Sequence, residues 1–431
     1  MGMVGEQGRQ RDVLAFYCLT AFAFCMYAVP GEWIPALAPL RLALLTSGLA
    51  AGLVVMRRVG RAEPFFLDGV RGVSLMCFSV VVVASMSWSI NPLESRAVAI
   101  EVLKLSAIYL AVVNVVTNEK RLTVILGAFV LGSIITSIGV INWYLVGENL
   151  VEGFRARWVG IYADPNRTAM NVGIVVPLAV AFIARKGTGW LFRIACTAAA
   201  VLAVVAIVFT HSRGGFGGLA TAMALWAIRE KRRLQAIVLG AVFALGLVVF
   251  APESFWKRNE TVTEFHQDAS AMGRVYAWQV ASRISLDKPL LGVGAGGFRF
   301  AWPLYAPPES HRAYVAHDLF LEVLGELGWV GFFLFLIFAG GAVGGAFEAS
   351  LDPNIGWVAR ALGASIVGYL ICQLSAGYIQ SAHLYMLFGL AASAERLARM
   401  REATALVPQR GPASAPSEPL EPAWEPTRHA L

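Results

Sequence analysis

Apolar runs just long enough to cross a lipid bilayer recur along the chain, and no other feature limits its folding as strongly. They are about 18 to 25 residues long, the length that spans a roughly 30 Å hydrocarbon core. Their centres lie near residues 21, 46, 81, 107, 134, 176, 201, 221, 243, 335, 367 and 389. Inside lipid every backbone amide and carbonyl must find its partner within the protein, so such runs fold as helices. The chain is 57% apolar and 15% charged, against roughly a quarter charged for soluble domains. These features predict an all-α polytopic membrane protein with about twelve transmembrane helices. The blocks at 168–184, 214–228 and 382–397 are the shortest.

The first block follows GEQGRQRDV and carries no small-residue cleavage site, so it is expected to stay as the first span. Cys18, Cys25, Cys77, Cys196 and Cys372 all fall inside apolar blocks, a placement that implies neither a disulfide framework nor a zinc site.

The net charge of +7 is explained by where the charges sit. With a cytoplasmic N-terminus, alternate loops carry Arg57, Arg58, Arg61 and Arg71, then Lys120 and Arg121, then Arg185, Lys186 and Arg193, then Arg229, Lys231, Arg232 and Arg233. Arg396, Arg399 and Arg401 follow the last block. This is the positive-inside pattern, it puts both termini in the cytoplasm, and it leaves no case for nucleic-acid binding. The expected divisions are 1–146 with the first five spans, a periplasmic loop 147–167, 168–251 with spans six to nine, a large periplasmic loop 252–316, 317–402 with the last three spans, and a tail 403–431. The tail sets Pro408, Pro412, Pro416, Pro419, Pro422 and Pro426 among Ala, Ser and Glu and is expected to be disordered. Within the large loop, Val275, Trp278, Ala281 and Ile284 recur at helical spacing and suggest an amphipathic helix lying in the interface.

Arginines on the outer side run against the orientation bias: Arg155, Arg157, Arg167, Arg213, Arg258, Arg274, Arg283, Arg299 and Arg312. Long loops escape that bias, but Arg213 sits in FTHSRGGFGGL, where two apolar blocks meet with no room for a loop. Held at the membrane rim beside His211 and Ser212, it either snorkels to lipid phosphate or faces an anion or polar cavity. Gly273 precedes Arg274 at the start of the amphipathic stretch, an arrangement that suits an anion or a solvated loop equally. Asp164, Pro165, Asn166 and Arg167 stand at the outer mouth of a span, either as a helix cap with a proline-fixed turn or as part of a site. His317, Asp318, Glu322 and Glu326 crowd the entrance to a strongly apolar helix. His317 there is a helix-start capping residue or a chemical group, and Glu326 is a candidate site carboxylate or a structural one where helices pack closely.

Two motifs are set aside. Gly292, Gly294 and Gly297 match G-x-G-x-x-G, but no strand precedes them and no βαβ unit encloses them, so they read as a glycine-rich turn. Asn166-Arg-Thr168 and Asn259-Glu-Thr261 are formal glycosylation sequons that matter only in a host that uses them. No Walker A lysine, HExxH or D-x-D is present, so the sequence offers neither an ATP site nor a metal cluster.

Four segments taken together, ADPNRTAMNVGIVVPLAV, THSRGG, MGRVYAWQVASRISLDKPLLGVGAGGF and HDLFLEVLGELGWVG, resemble the bacterial O-antigen ligase and O-antigen polymerase superfamily. The likeness spans residues 160 to 345; the N-terminal spans match only in hydrophobicity and number. It implies an inner-membrane glycosyltransferase with about twelve helices and one large periplasmic loop. Such an enzyme moves a glycan from undecaprenyl diphosphate to an acceptor sugar hydroxyl at the periplasmic face, without metal, ATP or other cofactor. In a ligase the acceptor is lipid A–core, and in a polymerase it is another lipid-linked repeat unit of O-antigen, capsule or exopolysaccharide. By the same likeness Arg213 and Arg274 correspond to the arginines that hold the donor diphosphate, and His317 to the histidine at the junction of loop and helix. That histidine is often followed by Asn, where this chain has Asp318. Asp318, Glu326, His211, Asp164, Asn166 and Arg167 are the supporting candidates. A transporter of lipid-linked sugar or of an anion is the competing class; Glu101 and Lys104, charged within an apolar block, are its one feature here.

Overall fold

The computed structural model describes residues 2–230, 269–310 and 312–406. Among them the chain is helical, with one isolated β-bridge between Val151 and Arg155. In chain order the helices are α1 (Gly2–Ala28), α2 (Pro30–Trp33), α3 (Leu42–Gly60), α4 (Val70–Ala84), α5 (Pro92–Val115), α6 (Glu119–Val146), α7 (Pro165–Gly173), α8 (Val175–Ala184), α9 (Trp190–Thr210) and α10 (Arg213–Arg229). After the gap come α11 (Ala269–Asp287), α12 (Phe298–Tyr305), α13 (Leu319–Ala349), α14 (Gly356–Ala376) and α15 (Ala382–Leu406).

Eight helical stretches among the described residues are long and apolar enough to cross a membrane, which makes this a membrane protein. Each coincides with one of the apolar blocks read from the sequence. Three further blocks fold as α1, α10 and α15. The expected span near residue 243 lies outside the described residues, as do Arg258, the sequon at Asn259 and residues 407–431 of the tail. The last helix continues to Leu406, four residues past the expected boundary, because no proline or glycine interrupts it before Pro408.

One continuous apolar core joins α1, α3–α10 and α13–α15. The tightest seam is between α10 and α14, where Gly218 and Gly368 face each other. A Cβ on either would lie 2.5 Å from the other's carbonyl oxygen. Small residues are what allow two membrane helices to approach so closely, and this seam brings the start of α10 beside the end of α14.

The basic loops gather at the opposite ends of the helices and are used structurally. Arg396 donates to the carbonyls of Val113 and Val116 at 2.7 and 2.6 Å, capping the end of α5. Arg71 donates to the Gly341 carbonyl and to Glu395 Oε2, both at 2.6 Å, and pairs with Asp68, so one buried guanidinium ties α4 to α13 and α15.

The amphipathic stretch in the large loop is a helix, α11, but its buried face is Ala277, Val280, Ala281 and Ile284, while Trp278 is exposed. The buried face is shifted from the one expected because α11 has protein to pack on. It packs against α12 and α13, with Val293, Phe298, Ala301, Trp302 and Ala316 completing a small core of its own.

The glycine-rich turn at 292–297 is inlaid in the helical bundle. Val293 and Gly294 donate their amides to the carbonyls of Gly325 and Glu326, and Trp329 donates to the Pro289 carbonyl. Helix α13 can spare those groups because it breaks at Gly328, whose φ is 63°. On the other side Ile90 donates to the Val293 carbonyl and Ser95 to that of Ala295. The segment thus pairs its backbone on both sides, as non-helical chain must where water is scarce.

Candidate functional site

Three of the helices that begin at one end of the bundle with a side-chain cap carry candidate residues. Asp164 accepts from the amides of Asn166 and Arg167 at 2.8 and 2.9 Å, fixing the start of α7. The Ser212 hydroxyl accepts from the Gly215 amide at 3.1 Å at the start of α10. Asp318 accepts from Phe320 and Leu321 at 2.9 and 3.1 Å at the start of α13. Aspartate and serine are strongly preferred there because they satisfy amides the helix leaves unpaired. The capping role belongs to Asp318 rather than to His317, and it is a role that does not need the amide of an asparagine.

Arg213 is the first residue of α10, and the next position is pressed against α14. A Cβ at Gly214 would collide with Ser375, and the Gly214 carbonyl accepts from Cys372 Sγ at 3.3 Å. Two residues beyond Ser375, Gly377 supports the backbone of His317 and Asp318: a Cβ at 377 would lie 3.1 Å from the His317 carbonyl carbon. The end of α14 is therefore the shared wedge between Arg213 and His317. Arg274 arrives from the third side. Its neighbour Gly273 is packed on Tyr314, so closely that a Cβ would lie 2.5 Å from the ring.

His317 is half-buried, with a φ of 52°. That left-handed conformation is uncommon for a residue with a side chain and tends to persist where surrounding structure enforces it. Its imidazole is held below its usual pKa of 6.5, first by burial, then by the positive charges of Arg274 and Arg167, with Asp164 acting in the opposite sense. The imidazole is thus neutral at neutral pH and able to accept a proton. Burial pushes the Asp318 carboxyl up, and its two backbone hydrogen bonds counteract part of that.

The remaining candidates divide. Asn166 joins two segments, its side-chain oxygen accepting from Arg155 at 2.8 Å and from Ser212 at 2.9 Å. Arg167 lies over the ring of Tyr378, 3.9 Å from its centroid. His211 is 1% exposed and caps the end of α9 with φ 51°; its ring lies 3.0 Å from the Phe209 carbonyl and stands edge-on to Phe154. It belongs to the packing beneath Arg213. Glu326 uses both carboxylate oxygens on backbone, accepting from Gly296 at 2.7 Å and Phe298 at 3.2 Å, so it holds the glycine turn against α13.

A cavity of about 290 Å³ opens beside His317. Arg167, Ala316, Glu322, Glu326 and Gly377 line it together with Glu94, Arg299, Tyr378 and Gln380. The last four, and the buried Arg155, were not singled out as site residues from sequence. Glu94, Tyr378 and Gln380 lie in unrelated stretches of chain, and Arg155 and Arg299 are two among many outer arginines with no local motif to mark them. Among the described residues no group of three or more His, Cys, Asp or Glu side chains is arranged to hold a metal ion.

Residues 198–336 match the family model described as O-antigen ligase. The matched stretch covers about a third of the chain and runs from α9 through Arg213, Arg274 and His317 into α13. No curated protein matches the chain.

Proposed function

We propose that this chain belongs to the O-antigen ligase and polymerase superfamily, a reading supported by the match over residues 198–336, and that it is a ligase joining a finished glycan to lipid A–core. The donor is the glycan on undecaprenyl diphosphate, the acceptor a sugar hydroxyl, and the site faces the periplasm of a bacterial inner membrane with both chain termini cytoplasmic. The reading counts about twelve spans, from the apolar blocks of the sequence.

In this reaction the acceptor oxygen forms a bond to the anomeric carbon as the bond from that carbon to the diphosphate breaks. The hydroxyl proton passes to the neutral imidazole of His317, and undecaprenyl diphosphate departs carrying the bonding pair. Attack opposite the leaving group inverts the anomeric centre. Arg213 and Arg274 bind the diphosphate and stabilise the charge that grows on it, work for which a planar, permanently charged guanidinium is well suited. A diphosphate is a good enough leaving group to need no general acid.

The observation that carries the reading is His317 itself: a histidine in a strained backbone conformation, kept neutral by burial and by neighbouring arginines, whose neighbours Ala316 and Gly377 line a polar cavity. Perturbed titratable groups beside a cavity mark functional sites more often than structural ones. The test is a deletion strain complemented with wild type, His317→Ala or Arg213→Ala, with membrane insertion verified. Mutants of a ligase strand long glycan on undecaprenyl diphosphate. Mutants of a polymerase leave only single repeat units. Normal products from both well-expressed mutants would remove the catalytic assignment and favour transport.

A further inference from the structure

The cavity beside His317 has walls unlike those of an anion site. Glu94 and Arg299 stand exposed at its mouth; Glu322, Tyr378 and Gln380 lie deeper. With Glu326 there are three carboxyl groups against the two guanidiniums of Arg167 and Arg299, and neither Arg213 nor Arg274 takes part in the lining. Glu326 is committed to the backbone amides of Gly296 and Phe298, and the groups left in the wall, Glu322, Tyr378 and Gln380, are ones that exchange hydrogen bonds with a polyol.

Glu322 makes the case specific. The Ile379 amide donates to its carboxylate, yet its Oε2 is shut off from solvent and has no hydrogen-bond partner among the described residues. A buried carboxyl oxygen left unpaired is costly, and since Glu322 is itself part of the cavity wall, turning that oxygen toward the cavity would let it meet a donor there. At about 290 Å³ the cavity lies at the small end of the range for ligand pockets, roughly 300–1,000 Å³, with room for one sugar ring.

We propose that this cavity is the acceptor subsite and takes a single neutral sugar ring, whose hydroxyls donate to Glu322 and exchange hydrogen bonds with Gln380. The assignment rests on the transferase reading given above and adds the acceptor's position to it. Two placements support it. Ala316, just before His317, and Gly377, beneath His317, are both part of the cavity wall, so a ring bound there presents a hydroxyl next to the base. Neither arginine assigned to the diphosphate is part of that wall, so an acceptor bound there does not compete with the leaving group for the same side chains.

The purified full-length protein in lipid nanodiscs is probed with methyl β-D-glucoside and methyl β-D-galactoside by saturation-transfer NMR. Wild type is expected to transfer saturation to at least one of them. Glu322→Gln and Gln380→Ala, each checked for unchanged thermal unfolding, are expected to weaken the signal by about fivefold, the loss of roughly one net hydrogen bond. Excess inorganic pyrophosphate is expected to leave it unchanged. In a transfer assay the same variants raise the half-saturating acceptor concentration and leave that of the donor alone. A wild type without a sugar signal, a signal indifferent to both substitutions, or one displaced by pyrophosphate would overturn the subsite. If cells show no transfer by the wild type while the Glu322-dependent sugar signal persists, the transferase reading falls, and the cavity stands as a sugar-binding site but not as an acceptor subsite.

Discussion

His317 rests its backbone on Gly377: a side chain at 377 would lie 2.6 Å from the Asp318 nitrogen and 3.1 Å from the His317 carbonyl carbon. Gly377 also has a φ of 42°, which an alanine adopts at a cost of about 1–2 kcal/mol. Gly377→Ala is therefore expected to leave the protein in the membrane but to shift the imidazole. Displacements near 1 Å cost about a hundredfold in rate. Glycan transfer in a complemented deletion strain, at matched protein level, measures it; wild-type transfer would mean that His317 does not need this support.

The lowered pKa of His317 sets a pH dependence. As the base, His317 must be neutral, so transfer is expected to stay level from pH 8 down through 6.5, the ordinary value, and to decline only at more acidic pH. Arg274→Gln removes one positive charge that favours the neutral form, so the acid limb moves up toward 6.5. Stability follows the same sign. The unfolded chain takes up the proton near 6.5 and the folded one only below it, so the contribution of His317 is present above 6.5 and is lost as pH falls further. The pH profile of kcat/KM for wild type and Arg274→Gln decides the point; coincident profiles would count against His317 as the base.

Glu326 is expected to act on the fold. Glu326→Ala leaves the buried amides of Gly296 and Phe298 without their acceptor, at a cost of about 1–3 kcal/mol each. Glu326→Gln retains an oxygen for one of them and should be milder. Thermal unfolding in detergent orders the three proteins. An alanine variant as stable as wild type yet inactive would move Glu326 from structure into chemistry.

His211 and His317 share a left-handed backbone but differ in what surrounds their rings. His317→Gly is expected to remove about 1 kcal/mol of backbone strain while ending transfer. His211→Gly relieves the same strain but takes away a ring packed on Phe154, Tyr144 and the Phe209 carbonyl, so stability should fall. Unfolding midpoints of the two variants test this directly, and a midpoint for His317→Gly as depressed as that for His211→Gly would show that its ring is a packing element.

The sequence and the structure agree where a feature is local. Apolar runs of bilayer length became helices, and Asp164, Ser212 and Asp318 each stand one residue before a helix because capping depends only on the next turn. Arg213, Arg274 and His317 each stand in a motif legible in the sequence, and the structure brings Arg274 and Arg167 within electrostatic reach of His317. What escaped notice is held together from a distance. Arg155 is buried because Asn166 and the Thr210 carbonyl meet it, and nothing beside it in the chain announces either partner. Tyr378 enters the site by lying under Arg167, 211 positions earlier. The face of α11 was misplaced because the spacing of its apolar residues fits two neighbouring stripes, and the choice between them was made by α12 and α13. The glycine turn was recognised as a turn, but its pairing with the interrupted α13 is a backbone relationship that side-chain patterns do not encode.

The walls of the cavity come from residues 94, 167, 296–300, 315–326 and 377–380. A chain threaded into a membrane from its N-terminus delivers them in that order, and the stretch that seats His317 and carries Tyr378 comes last. Until Gly377 has passed the insertion machinery, the histidine has no shelf to lie on and Arg167 no ring to lie over. On the proposed assignment a nascent chain is thus chemically silent for nearly the whole of its synthesis, and a chain cut short before residue 377 is expected to be inert.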